Sequence, residues 1–286
     1  MTRHPIPMDR HVRALRDLGF TILPAQLEPE SVAALGALAD RALEAVRAVI
    51  ASGRRVPFQP ETDHYEAASA LYCWGAAALG LLEHPQVHAL AGSLLSDYLL
   101  NDLTVFSVPP SGDPAMPVQT TSWHRDCPID PGGGLPGHRW FFFPLDDFTP
   151  ENGATWVVPG SHRADPPGAV NVAPPWRPLD RELYRDRRQL ILQAGDLAVI
   201  DARILHSSDR NDTDRPRRLI NLGLVHAGLR DRVRANHWRI AGPKITGRAS
   251  PLVRRLLGDR WPDRPHVGPP PVLPPNWPTA EDRRVR

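Results

Sequence analysis

Lysine is almost missing from this chain. Of its 34 basic residues only Lys244 is a lysine, and the arginines are scattered rather than grouped. With a net charge of +2 and no block of like charge, nothing asks for nucleic acid or an anionic membrane surface as a partner. Cysteine is nearly as scarce. Cys73 and Cys127 show no CxxC or paired spacing, which excludes a disulfide framework and fits a reducing cytoplasm. The opening "MTRHPIPMDR" has no apolar stretch, so no secretory signal is expected. The longest nearly apolar run, "ALYCWGAAALGLL", is too short to span a bilayer. The expectation is a soluble, cytoplasmic protein.

What is present is a globular composition, 41% hydrophobic and 23% charged, over 286 residues, enough to bury a sizeable core. The first hundred residues read mainly as helix. "DRHVRALRDLGF" has apolar residues at helical spacing, "FTIL" is a short strand, and "EPESVAALGALADRALEAVRAVIASG" carries an Ala/Leu/Val stripe that stops at Gly53. "ALYCWGAAALGLLEH" and "PQVHALAGSLLSDYL" predict two more helices. From residue 101 short β-prone runs alternate with turn residues: "LTVFSV", "VQTTSWHRD", "HRWFFFPLDD", "ATWVVPG", "RQLILQAGD", "LAVID" and "RRLINLGLVHAG". Glu151-Asn152-Gly153 and Pro159-Gly160-Ser161-His162 are turn signals among them. Trp261 to Pro278 holds eight prolines and reads as an extended arm. The expected class is α+β, one domain over 1–286. Its parts are helices over 1–100 packed outside a jelly-roll (double-stranded β-helix, cupin-like) core at 101–227, then a Pro-rich extension over 228–286.

Chemistry concentrates in "SWHRD". Alternate residues of a strand share a face, so His124 and Asp126 would aim inward together while Arg125 points away. One imidazole and one carboxylate, joined by a histidine from a distant strand, form the facial triad that holds non-haem Fe(II) with positions left open. His64-Tyr65-Glu66 is a second pair of the same kind, in a polar segment without a strand partner. Downstream, "QAGDLAVIDARILHSSDRNDTDRPRRLINLGLVHAG" delivers His206 on a short strand, and Arg217 opens the next one. An arginine there is placed to clamp a carboxylate beside the metal. Parity separates it from its neighbour. Arg217 shares a face with Leu219, Asn221 and Gly223, a set suited to an occupied pocket, whereas Arg218 shares one with Ile220, Leu222 and Leu224, suited to packing under helices.

Together "WHRD", "LDDFTPENGATWVVPGSH" and "GDLAVIDARILHSSDRNDTDRPRR" resemble the phytanoyl-CoA dioxygenase family of Fe(II)/2-oxoglutarate-dependent oxygenases, over roughly residues 101 to 227 plus the "LRDLGFTIL" opening. The resemblance implies His124, Asp126 and His206 as iron ligands, Arg217 on the distal carboxylate of 2-oxoglutarate, and Phe142 as an aromatic near that co-substrate. It implies Fe(II), 2-oxoglutarate and O2 as cofactors and co-substrates, and oxidation of an unactivated C–H bond by hydroxylation, ring closure or desaturation. Halogenating relatives have a small residue where Asp126 stands, so halogenation is disfavoured. The expected substrate is a small molecule, a bacterial specialised metabolite such as a sugar or aminocyclitol derivative. Acyl-CoA is disfavoured for want of a basic groove. The alternatives are a cupin-like isomerase that uses metal without 2-oxoglutarate, and a non-catalytic jelly-roll binding module.

The other candidates have plainer readings. His162 is a turn residue rather than a ligand, and His138 and His226 are structural histidines near strand ends. Trp123 and Trp156 read as core residues, with a substrate-pocket lining as the alternative, and Ser161-His162 lacks the nucleophile elbow that a hydrolase needs. Asp130 belongs to a solvated loop.

Overall fold

A computed structural model describes residues 7–56, 65–111, 123–129, 137–164, 185–233, 235–267, 269–275 and 277. Helix α1 (Met8–Asp17) leads into β1 (Phe20–Leu23). Helix α2 (Pro29–Ala51) starts on a proline, whose missing N–H costs nothing in the first turn. Its Leu35, Leu38, Ala39, Ala42, Leu43 and Val46 recur at helical spacing and are all buried. The helix expected over "ALYCWGAAALGLLEH" is broken. A 3-10 turn at Leu71–Cys73 is followed by the short α3 (Ala76–Leu81), with Gly75 extended between them. Helix α4 (Pro85–Leu95) ends at Ser96, whose φ of 58° leaves the helical region, and the next strand already begins at Tyr98 rather than at 101.

The strands are β2 (Glu66–Ala68), β3 (Tyr98–Val108), β4 (His138–Pro144), β5 (Thr155–Val157), β6 (Arg188–Gln189), β7 (Leu197–Asp201), β8 (His206–Ser208) and β9 (Arg217–His226). They form a six-stranded sheet, β1-β7-β4-β9-β3-β2, and a three-stranded sheet, β6-β5-β8, with antiparallel pairing throughout. On one face of the larger sheet Leu103, Val105, Phe141, Phe143, Ile220 and Leu222 pack under α2, α3 and α4. On the other, Phe142, Ala198, Ile200 and Leu219 meet Ala154, Val157 and Leu190 of the smaller sheet and its flanks. Full burial of such a side chain contributes about 1.5–3 kcal/mol, so both faces are strongly specified.

Beyond β9 the chain is less irregular than a Pro-rich extension implies. Two helices form there, α5 (His237–Thr246) and α6 (Pro251–Leu257), each opened by a side-chain cap. Asn236 accepts from the Arg239 N–H, and Ser250 accepts from the Val253 N–H. The arm that follows has no regular structure but is anchored. Trp277 is buried with its Nε1 donating to the Ile240 carbonyl (3.0 Å), and Trp74 Nε1 donates to the Val272 carbonyl (3.3 Å). Among the described residues no helix is long and apolar enough to cross a membrane.

Candidate metal centre

His124 and His206, 82 positions apart, exchange both backbone hydrogen bonds at 3.0 Å and bring their rings to 4.2 Å between centroids. Of the strand expected over "VQTTSWHRD", the described part, Trp123 to Asp126, holds a bridge at His124 followed by a bend; Val118 to Ser122 lie outside the described residues. In the bend the Asp126 N–H donates to the Ala202 carbonyl at 3.0 Å. Arg125 turns away, as parity predicts, and donates to the carbonyls of Arg203 (2.8 Å) and Ser161 (2.9 Å). The result is a cluster in which one ligand atom each of His124, Asp126 and His206 all lie within 4.8 Å of one another. His124 Nε2 is 3.6 Å from Asp126 Oδ1, and His206 Nε2 is 3.5 Å from Oδ2.

A buried ion network holds the turn that delivers His206. Asp201, at the end of β7, accepts from Arg203 Nε (2.9 Å) and Nη2 (2.7 Å) and pairs with Arg139 Nη2 at 3.0 Å. Burial alone would raise the Asp201 pKa, but Arg203 and Arg139 hold it below the ordinary carboxylate value. This "DAR" arrangement escaped the sequence reading, because Arg139 comes from β4.

Electrostatics prepare the cluster for a cation. Burial opposes the charge on Asp126, yet His206, His124 and the Trp140 indole together keep its carboxyl well below the usual range. Burial pushes the His206 pKa down, against the opposing pull of the Asp126 charge. Its Nδ1 lies 3.0 Å from the Ile204 carbonyl, so Nδ1–H donates there and the Nε2 lone pair faces Asp126. Trp140 Nε1 donates to Asp126 Oδ2 at 2.7 Å, while Oδ1 lies on the side of His124. Trp140 was not singled out from the sequence. The available signal was Gly223, read as pocket space. A Cβ there would meet the Trp140 ring at 2.3 Å, so the glycine exists to let the indole lie across β9.

Arg217 opens β9 and faces between the sheets at 3% exposure. Its guanidinium lies 4.3 Å over the Phe148 ring, and Nε donates to the Asn152 carbonyl at 3.1 Å. Nη1 has no hydrogen-bond partner among the described residues, and neither has the buried Oδ1 of Asn221 on the same strand face. Burial lowers the Arg217 pKa to about 10, with Asp146 only partly offsetting it. A buried guanidinium with a donor left unmatched has the chemistry to receive a carboxylate. Phe142 is buried in the same apolar cluster as Phe148 and pairs with Asn221 across the strands. Arg218 points the other way and binds Asp146 (2.9 Å) and Asp40 (2.7 Å).

Other candidates stay outside the cluster. His162 Nε2 hydrogen-bonds the Arg16 carbonyl, Ser161 Oγ the Val158 carbonyl, and His226 Nδ1 accepts from the Gly228 N–H. Glu66 is held by Arg47 at 2.6 and 2.8 Å, while His64 and Asp130 lie outside the described residues. Trp123 is buried against Val158 and Leu205, and Trp156 donates to Asp209. His138 is the exception to its plain reading. It lines a cavity of about 500 Å³ that also receives Asp126 and Trp140, and its Nε2 has no hydrogen-bond partner among the described residues. His266, Val267, Pro269 and Pro271 of the C-terminal arm form part of the wall.

A helix-and-antiparallel-sheet fold with two imidazoles, one carboxylate and a nearby cavity defines a class, proteins built to hold a mononuclear non-haem metal. The chain belongs to the phytanoyl-CoA dioxygenase family, which it matches over residues 15–219. It is 31% identical over 191 residues to the dioxygenase aneA of Aspergillus aculeatus, covering 62% of this chain and 57% of that protein. An uncharacterised protein of Mycobacterium tuberculosis is 28% identical over 182 residues, covering 62% and 61%. The chain thus spans about 60% of the length of these curated relatives. Among solved structures, the non-haem α-ketoglutarate-dependent epimerase SnoN of nogalamycin biosynthesis superposes with a TM-score of 0.56 at 25% identity, covering 77% of this chain and 81% of that one. The carbocyclase SnoK of the same biosynthesis gives 0.57 at 21% identity, covering 79% and 88%, which speaks for the fold.

Proposed function

We propose that this protein is an Fe(II)- and 2-oxoglutarate-dependent oxygenase that oxidises an unactivated C–H bond of a small molecule, its two sheets forming the walls of a double-stranded β-helix. The observation that carries the reading is the pairing of the His124–Asp126–His206 cluster with Arg217, a buried guanidinium that no carboxylate of the described residues meets directly. His124 Nε2, His206 Nε2 and one oxygen of Asp126 would hold the iron, and Arg217 the distal carboxylate of 2-oxoglutarate. When bound, these groups with O2 supply the oxidising chemistry, converting 2-oxoglutarate to succinate and CO2.

The chain's own residues provide the rest. Trp140 orients Asp126 by holding Oδ2, and Ile204 fixes the His206 tautomer through Nδ1. Phe148 carries the Arg217 guanidinium on its face, and Phe142 closes the apolar wall beside it. The cavity beside Asp126 is of a size that encloses a drug-sized molecule and shields the reacting bond from water. A relative named as a dioxygenase and a solved epimerase of nogalamycin biosynthesis support a tailoring reaction on a small molecule; a sugar or aminocyclitol derivative, oxidised by hydroxylation or ring closure, is the substrate class we propose. The test is succinate formation from 2-oxoglutarate with Fe(II) and ascorbate, alongside the visible absorption of the anaerobic iron–2-oxoglutarate complex. Neither signal from correctly folded protein would overturn the reading.

A further inference from the structure

The cavity beside Asp126 contains a second carboxylate that the reaction does not use. Asp102, on β3, is 6% exposed and lines the same cavity. Its Oδ1 accepts the Leu103 N–H at 2.7 Å and, more loosely, the Ala70 N–H at 3.5 Å. Ala70 is held at a φ of 54° to make that approach. The Thr104 hydroxyl and two backbone N–H groups are neutral donors and do not neutralise a buried carboxylate, and burial pushes its pKa up to about 6. No arginine or lysine among the described residues lines the cavity; the imidazoles of His138, His237 and His266 do. Arg264, in the same C-terminal segment, gives its guanidinium to the carbonyls of Arg230, Val233 and Ala235 instead.

An independent feature lies beside this carboxylate. Ser69, the residue before Ala70, is 7% exposed and lines the cavity, and its Oγ has no hydrogen-bond partner among the described residues. A buried hydroxyl without a partner is destabilising, and in a cavity wall it marks a place where a ligand supplies the missing bond. Val225, Leu229, Ile240 and Val267 supply apolar wall to the same space. Rigidity is provided from behind. His237, also in the lining, is clamped between the Tyr72 hydroxyl (2.9 Å) and the Asn101 carbonyl (2.8 Å), next to Asp102 in sequence.

We propose that the substrate carries a protonated amine on an apolar or ring-shaped body, and that Asp102, with Ser69 beside it, is the specificity-determining residue that reads that amine. This rests on the oxygenase reading only in calling the ligand a substrate. A buried carboxylate outside the metal cluster, with no arginine or lysine in the described cavity lining beside it, repels an anionic group placed against it and accepts a cation at the least desolvation cost.

The probe is a set of three compounds on one skeleton: cyclohexylamine, cyclohexanol and cyclohexanecarboxylate. Binding to the full-length, metal-free protein is measured at pH 7.5 by ligand-observed NMR, which removes amine–iron ligation from the signal. Cyclohexylamine is expected to bind at least tenfold more tightly than the alcohol and at least thirtyfold more tightly than the acid. Asp102→Asn keeps an Oδ1 acceptor for the two backbone N–H groups and should cost the amine at least tenfold in affinity while leaving the alcohol within threefold. Equal binding of amine and acid by the wild type overturns the proposal without recourse to any variant. So does a loss of amine binding in Asp126→Asn but not in Asp102→Asn, which would make the metal ligand itself the attractor. An amine preference in a protein that never forms succinate would sink the oxygenase reading and keep this one. Succinate formation without an amine preference does the reverse.

Discussion

The indole N–H of Trp140 donates to Asp126 Oδ2 at 2.7 Å, so the only carboxylate of the metal cluster is oriented by a residue from β4 rather than by its own segment. The contact holds the carboxylate with Oδ2 beside His206 and Oδ1 beside His124. Trp140→Phe keeps the ring over Gly223 and removes the donor. Iron affinity is expected to fall about 10- to 100-fold, as for other outer-shell partners of metal ligands, with the unfolding temperature nearly unchanged. Titration of Fe(II) against 2-oxoglutarate absorption reads it directly; an unaltered affinity would show that Asp126 needs no orienting group.

His124→Ala and His206→Ala each remove one of three protein ligands and should abolish iron binding and turnover while the fold persists. Asp126→Gly should cripple oxidation and open a position to chloride. The wild type should yield no chlorinated product, and chloride found in that product would show Asp126 to be no ligand.

Arg217→Ala removes a buried bidentate contact worth about 2–4 kcal/mol, so the KM for 2-oxoglutarate should rise roughly 30- to 1000-fold. Arg215→Ala and Arg218→Ala should each change it by less than about threefold, since Arg218 is committed to Asp146 and Asp40 on the helix-facing side. A large effect at Arg218 with a small one at Arg217 would contradict the observed register.

Stability should depend on pH through His237. Burial lowers its pKa from 6.5 to about 4, so the folded state binds the proton less well than the unfolded chain. The stabilisation of the neutral ring is present above about pH 6.5 and is lost as pH falls toward 4, a change on the order of 2–3 kcal/mol. In urea unfolding, wild type should exceed His237→Gln at pH 7, and the gap should narrow by pH 5. A gap of constant size would rule out His237 as the group responsible.

The C-terminal arm should matter for stability. Trp277→Ala removes a buried indole and its bond to Ile240, and should cost about 3–5 kcal/mol in unfolding free energy. Truncation at Pro262 should lower stability at least as much and disturb the cavity wall that His266 to Pro271 provide. An unchanged melting temperature in both would mean that the arm is dispensable.

Local chemistry determined a good part of this protein. Binary alternation placed Arg217 inward and Arg218 outward, because a one-residue slip would expose Ile220, Leu222 and Leu224. The spacing of Leu35, Leu38, Ala42 and Val46 set the buried stripe of α2. Residue type at "WHRD" and "ILH" marked the donor set. What lay beyond reach was whatever depends on pairs distant in the chain. Parity put His124 and Asp126 on one side of their segment, but the cluster closes only through the backbone bridge between His124 and His206 and the bend at Asp126. Trp140, Arg139 and Phe148 acquire their roles only when β4, β7 and β9 are laid side by side. Caps at Asn236 and Ser250 turned part of an apparent Pro-rich extension into helices whose neighbours wall the cavity. Asp102 reads in sequence as one more acid in a strand. Only folding removes it from water and leaves its charge without a cation, because desolvation is a property of the assembled surroundings and not of the residue.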